Sequence, residues 1–199
     1  MLARELALTP GHPLLKHLVV AIAPDYNADG NERTGPTDRH RPGQIGPEQG
    51  CGTRENAAGL DLNRDFIKSD SKDARSFAAI FHQTDPDVVV DNHVSDGADY
   101  QHVMTLLTSQ HNKLGGAMGD FLDQQFEPAL YGLMKEKGYD LVPYVNSFGD
   151  TPENGWPEYW DPPRYSSGYA TLWHSFAFVP EAHMLKPYDQ RVKATYALM

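Results

Sequence analysis

Three short apolar runs constrain this chain more than any other feature, because each is strand-length and each stops at polar residues. They are Leu18 to Ala23, Val88 to Val90, and Ser175 to Val179. Continuous β-branched and aromatic runs of this length predict strands buried on both faces. Between them lie stretches of helical period. Ala74, Phe77, Ala78, Ile80 and Phe81 share one pattern, capped by Asp70 or Ser69 and closed at Pro86. A longer pattern through Leu114, Met118, Phe121, Leu122, Phe126, Leu130 and Leu133 reads as one helix ending at Gly138. Gln101 to Thr108 and Val142 to Val145 add two more strand candidates. Alternating buried strands and helices predict a three-layer α/β/α sandwich with a mixed, mostly parallel central sheet.

With 199 residues, 40% of them hydrophobic and 22% charged, the chain suffices for one core, so 1–199 reads as a single domain. No apolar run approaches the roughly 20 residues that span a bilayer. A net charge of -10 disfavours nucleic acid or an anionic membrane as partner. The single cysteine, Cys51, excludes an internal disulfide and a cysteine-built zinc cage. Leu2 and Leu6 share a helical face with no capping residue before them, and Thr9, Pro10, Gly11 and Pro13 stop the helix. The expectation is that Met1 lies inside a longer helix and that the chain is part of a larger protein.

In open α/β sheets, chemistry collects beyond the carboxyl ends of strands. Val88–Val90 runs directly into Asp91, Asn92 and His93, and the last apolar run delivers Glu181. The segment from Asp25 to Leu60, and that from Asn146 to Tyr169, are too long and too rich in Gly and Pro for simple connections. Adjacent Asn63 and Arg64 offer an amide beside a guanidinium fork, suited to gripping a carboxylate; a solvated turn with a surface arginine fits equally well on chemistry alone. Taken alone, His93 reads as a hydrogen-bonded structural histidine and Glu181 as a surface carboxylate.

Together, and in this order, the strings resemble the zinc carboxypeptidase family, the carboxypeptidase A-like metallopeptidases. Asn27-Ala28-Asp29-Gly30 resembles that family's Asn-Pro-Asp-Gly turn, Asp61-Leu62-Asn63-Arg64-Asp65-Phe66 its Asp-Leu-Asn-Arg-Asn-Phe, and Asp91-Asn92-His93 its Asp-x-His. The resemblance runs from about Leu18 to about Val192 and implies a peptidase catalytic domain that releases C-terminal residues from peptides. It implies that Asn63 and Arg64 hold the substrate's terminal carboxylate, and that Arg54 polarises the scissile carbonyl. It implies further that His93 is a ligand of one zinc ion and that Glu181 is the general base. The closing tyrosine is matched best by Tyr165, with Tyr159 and Tyr169 as alternatives. The implied partner is a peptide or small amide with a free C-terminal carboxylate.

The chain departs from the pattern as well. The family's His-x-x-Glu zinc motif occurs nowhere in it, so two further ligands are expected upstream of Met1 and the chain alone is expected to be inactive. His82-Gln83-Thr84-Asp85 has a similar spacing and reads as a helix-end surface pair. Pro180, directly before the implied base, can displace it. Two other functions stay open: a zinc-dependent deacylase of small N-acyl amino acids on the same fold, and a non-catalytic carboxylate-binding module. His183 is a candidate neighbour of the site.

Overall fold

The computed structural model describes residues 1–41, 50–95, 100–144, 152–155 and 157–199. In chain order it holds helices α1 (Leu2–Leu8), α2 (Ala28–Glu32), α3 (Thr37–His40) and α4 (Lys72–Thr84), then strands β1 (Val88–Val90), β2 (His93–Val94) and β3 (Met104–Thr108). Helices α5 (His111–Leu114), α6 (Gly116–Phe121) and α7 (Glu127–Glu136) follow, then β4 (Leu141–Pro143), α8 (Ser166–Leu172), β5 (Phe176–Ala182) and α9 (Tyr188–Leu198).

The sheet runs β1-β5-β3-β4, with β2 continuing the β1 side of β5. β1 and β2 pair with β5 in parallel, β3 pairs with β4 in parallel, and β3 meets β5 antiparallel. This is the mixed, mostly parallel sheet expected from the sequence. Side chains alternate faces along a strand, and β5 shows the consequence. Phe178 joins Met104, Leu106, Leu122, Met134 and Ala194 in the core under α6, α7 and α9. Its neighbour Ala177 joins Phe66, Phe81, Tyr169 and Ala170 in the core under α4 and α8. Two apolar layers on one sheet make the three-layer sandwich.

Local chemistry explains where elements start and stop. Helix α4 is capped by Ser71, whose Oγ accepts from Ala74 N at 2.9 Å, rather than by Ser69 or Asp70. It ends where Asp85 turns left-handed at φ 45°, just before Pro86. The long helix expected from Leu114 to Gly138 is broken. Gly115 and Gly116 take positive φ between α5 and α6, and a π-helical turn, Leu122–Phe126, precedes α7. Pro128, in the first turn of α7, has no N–H to return to the preceding turn, which favours the wider coil there.

Three strand expectations also change. Leu18–Ala23 forms no strand: Leu18 is 54% and Val19 99% exposed, and no described strand pairs with it. An apolar run becomes a strand only when another segment completes its ladder, which composition does not encode. Val88–Val90 is a strand but lies at the sheet edge, half-exposed rather than buried. The fourth strand is Leu141–Pro143, not Val142 to Val145; Val145 and 146–151 lie outside the described residues. The second long loop ends before α8 opens at Ser166, so Tyr169 is helical and 4% exposed.

Pro180 sits inside β5 without breaking it. Phe176 N donates to Asp87 O, while Phe178 O and Ala182 O accept from Asp91 N and Ser95 N, so even-numbered residues of β5 turn their backbone groups toward β1 and β2. Pro180 therefore faces the interruption between those two strands, where its missing N–H costs no ladder bond. On the other side its register with Leu106 is intact. Glu181 is held in register despite its neighbour.

Candidate active site

The site lies past the carboxyl end of β1, where His93 opens β2 and Glu181 stands near the carboxyl end of β5. Parallel pairing sets His93 of β2 directly beside Glu181 of β5, and antiparallel pairing sets Thr105 of β3 on the other side of Glu181. Residues in register share a face, so the three form one row. His93 Nε2 lies 3.0 Å from Asp91 Oδ2, and His93 Nδ1 lies 3.8 Å from Glu181 Oε1. A carboxylate can only accept, so Nε2 carries the proton in the first contact, and Nδ1 is the ring nitrogen turned toward Glu181. Thr105 is 2% exposed and buries a hydroxyl that finds no hydrogen-bond partner among the described residues.

Electrostatics follow the geometry. Burial disfavours a charged His93, but the hydrogen bond and charge of Asp91, with Glu181 beyond, outweigh it and raise the pKa; the positive charge of Arg54 acts against them. Burial likewise pushes Asp91 up, yet His93 and a hydrogen bond with the Ser166 side chain bring it below the ordinary carboxylate value. Ser166 stands at the start of α8, so that helix is tied to the strand end that carries His93.

The second wall is the loop from Cys51 to Asp65. Asp61 accepts from Asn63 N at 2.9 Å and faces Arg54 Nη1 at 3.5 Å. Arg64 donates from Nη1 to Asn63 O at 2.7 Å and lies over the Tyr165 ring, 4.5 Å from its centroid. Arg164 lies 4.9 Å from the same centroid and donates to the Tyr165 hydroxyl at 3.0 Å. Tyr159 packs edge-on against Tyr165 at 5.4 Å, and burial, then the Tyr165 hydroxyl, push its phenol up to about 12.

The loop is fastened from behind. Asn27 Nδ2 donates to Arg54 O at 3.0 Å, while Asn27 Oδ1 accepts from Gly30 N at 3.1 Å. A Cβ on Gly52 would run into the Gly30 carbonyl, so this close crossing requires glycine. Asn56, 3% exposed, accepts from Ala58 N and Leu60 N at 3.0 Å each and donates to Asp73 Oδ2 at 2.8 Å. Asp65 accepts from Asp70 N at 2.9 Å and Ser71 N at 2.8 Å. Burial raises the Asp65 pKa, but the hydrogen bonds from Ser71 and the Asp70 amide, with the charge of Lys68, hold it below the ordinary carboxylate value.

The residues read from the sequence fall into two groups of contacts. Glu181 lies beside His93; Arg54 pairs with Asp61, Asp61 caps the turn of Asn63 and Arg64, and Arg64 stacks on Tyr165. The link between the two groups is the positive charge of Arg54, felt at His93. Tyr169 does not join them: its hydroxyl lies 3.0 Å from His82 Nε2, inside the aromatic layer over α4. His183 is a structural residue, 1% exposed, with ring nitrogens 2.6 Å from Tyr100 N and 2.9 Å from Leu185 N. Asp61, Ser166, Asn27 and Asn56 support the site without carrying a sequence mark of a functional residue. Asp61, two before Asn63, carries the signature of a turn-forming carboxylate and was open to that reading; Ser166 meets Asp91 only through the fold.

A catalytic zinc takes about three protein ligands. His93 has the form of one, since a carboxylate on Nε2 orients the ring and frees Nδ1. Among the described residues, however, no group of three His, Cys, Asp or Glu side chains could hold a metal ion. The donors among the described residues do not by themselves make a catalytic zinc site. Nor is any described helix long and apolar enough to cross a membrane.

No family model matches the chain, and no curated protein matches it. Solved structures do. A metallo-carboxypeptidase from Pseudomonas aeruginosa, in complex with (2-guanidinoethylmercapto)succinic acid, aligns with a TM-score of 0.53 at 15% identity, over 76% of this chain and 40% of that one. A metallo-carboxypeptidase from Burkholderia cenocepacia aligns with a TM-score of 0.50 at 18% identity, over 74% of this chain and 39% of that one. The fold is carboxypeptidase-like, and the chain spans about two fifths of the length of the structures it matches.

Proposed function

We propose that this chain carries the carboxylate-recognition and proton-transfer part of a carboxypeptidase-type hydrolase, acting on peptides or small amides with a free C-terminal carboxylate. The observation that supports it most is that Glu181 lies beside His93, that the charge of Arg54 reaches His93, and that Arg54 is joined through Asp61 to the turn of Asn63 and Arg64, where Arg64 stacks on Tyr165. In this reading Asn63 and Arg64 take the terminal carboxylate, the guanidinium through two parallel hydrogen bonds. Arg54, kept in place by Asp61 and by Asn27 on its backbone, donates to the carbonyl oxygen where negative charge develops. Glu181 accepts a proton from the attacking water and returns it to the leaving amine. Tyr165 covers the bound end from its stack on Arg64. Zinc would supply Lewis acidity in such chemistry, but the described donors do not complete its site and no step is assigned to it here.

The test is binding of an N-acylated dipeptide and of its C-terminal amide, followed by isothermal titration. The free acid is expected to bind in preference to the amide, and Arg64→Ala to weaken it by about tenfold to a hundredfold, the worth of hydrogen bonds to a charged group. Equal affinity for acid and amide contradicts the reading. So does the absence of any binding.

A further inference from the structure

We propose that Arg41 is a specificity-determining residue that takes an acidic side chain of the bound peptide, on the residue just before the one that ends in the free carboxylate. The inference rests on the carboxylate-recognition reading and adds a second anionic group to the ligand. Arg41 closes α3: its N–H donates to Thr37 O at 2.8 Å. That short helix is fastened to the loop that carries Arg54. Gly35 and Cys51 exchange two backbone hydrogen bonds of 3.0 Å, and His40 Nδ1 lies 3.0 Å from Cys51 O. The His40 ring occupies the space beside Gly35, where a Cβ would collide with it. Arg41 is thereby held against a segment that reaches Arg54 three residues past Cys51.

The guanidinium is half-buried and forms no hydrogen bond or ion pair with a described residue. Burial, then the charge of Arg54, lower its pKa, while Cys51, Asp61 and Glu55 act in the opposite sense. Neither carboxylate satisfies it, because Asp61 faces Arg54 Nη1 at 3.5 Å and Glu55 is exposed and forms no ion pair with Arg41. Two neighbouring guanidiniums partly withdrawn from water gain most from an incoming anion, and the planar fork of arginine suits a carboxylate. The order of the charges says which carboxylate. Arg54 is felt at both Arg41 and His93, while Arg64 is joined to Arg54 through Asp61 and the turn of Asn63. With the terminal carboxylate on Arg64 and the neighbouring carbonyl on Arg54, the side chain next to Arg41 belongs to the residue that supplies that carbonyl. A glutamate or aspartate there meets an unused cation.

Isothermal titration with N-acetylglutamyl-phenylalanine and N-acetylglutaminyl-phenylalanine tests this. The glutamyl peptide is expected to bind about threefold to tenfold tighter at low salt, the worth of a partly exposed ion pair, with the advantage shrinking as sodium chloride is raised. Arg41→Gln is expected to remove the advantage and leave affinity for the glutaminyl peptide within about twofold, which also reports that the variant is folded. Arg41→Lys, which keeps the charge without the fork, should retain part of the advantage. Equal affinity of the two peptides, or a glutamyl preference that survives in Arg41→Gln, overturns the inference and leaves the proposed function standing, since both peptides end in a free carboxylate. Loss of both peptides in Arg41→Gln makes the residue structural and overturns the inference alone. Binding of neither peptide by the unaltered chain overturns the proposed function and the inference with it.

Discussion

The loop from Cys51 to Asp65 and the run from Leu18 to Ala23 have opposite compositions and opposite fates. The first is polar and glycine-rich, the composition of a mobile connection, yet Asn56 and Asp65 in it are each only 3% exposed. The second is six residues of strand-forming, apolar sequence, yet Val19 is 99% exposed and the run joins no sheet among the described strands. Order in the loop comes largely from side chains bonding to backbone a few residues away, as at Asn56, Asp61 and Asp65, with Asn27 and Asp29 fastening it from the start of α2. Order in a strand needs a partner supplied by distant chain. Hydrophobicity states what a segment gains by burial, and only the rest of the fold decides whether it is buried.

The contrast breaks most readily at Asn56. Asn56→Ala removes three side-chain hydrogen bonds at a buried position and leaves Ala58 N and Leu60 N without acceptors. A loss of about 3 kcal/mol in unfolding free energy is expected by urea denaturation. A change near zero would mean the loop is ordered by something other than these bonds.

Asp65→Asn sharpens the same point through pH. The folded carboxyl titrates below its unfolded value, so its contribution to stability is complete above the unfolded pKa, near 4, and fades as pH falls through the folded pKa. Thermal melts should show the variant less stable by about 1.5–3 kcal/mol at neutral pH, with the gap closing in acid. A gap that persists unchanged to acid pH would remove the charge from the explanation.

The smallest effect is expected in the apolar run. Val19→Ser should shift stability by no more than about 0.5 kcal/mol, as for an ordinary surface position. A loss of about 2 kcal/mol or more would return Leu18–Ala23 to the core, where its composition alone places it.

The same division explains what could be read before the fold. The aromatic period of α4 and the strand before Asp91 follow local patterning, and both are present. The turn of Asn63 and Arg64 was readable because it is built within five residues around Asp61. The break in the long helix was marked by Gly115, Gly116 and Pro128, whose conformational demands outweigh an apolar period that runs across them. Two relations could not be read: the register of His93 against Glu181, and the bond from Ser166 to Asp91, each joining residues more than 70 positions apart. They exist only once β5 lies between β2 and β3. Tyr169 shows the reverse error, a tyrosine in a loop-like context that the start of α8 carries into the core.

The central claim is that the clamp and the strand-end pair face a single ligand. Amide chemical shifts followed during titration with N-acetylglycyl-phenylalanine test it most directly. Signals of Arg54, Asn63 and Arg64 should move together with those of His93 and Glu181, along one saturation curve, while the C-terminal amide leaves both groups nearly still. Movement of one group without the other would separate the two walls and contradict the account.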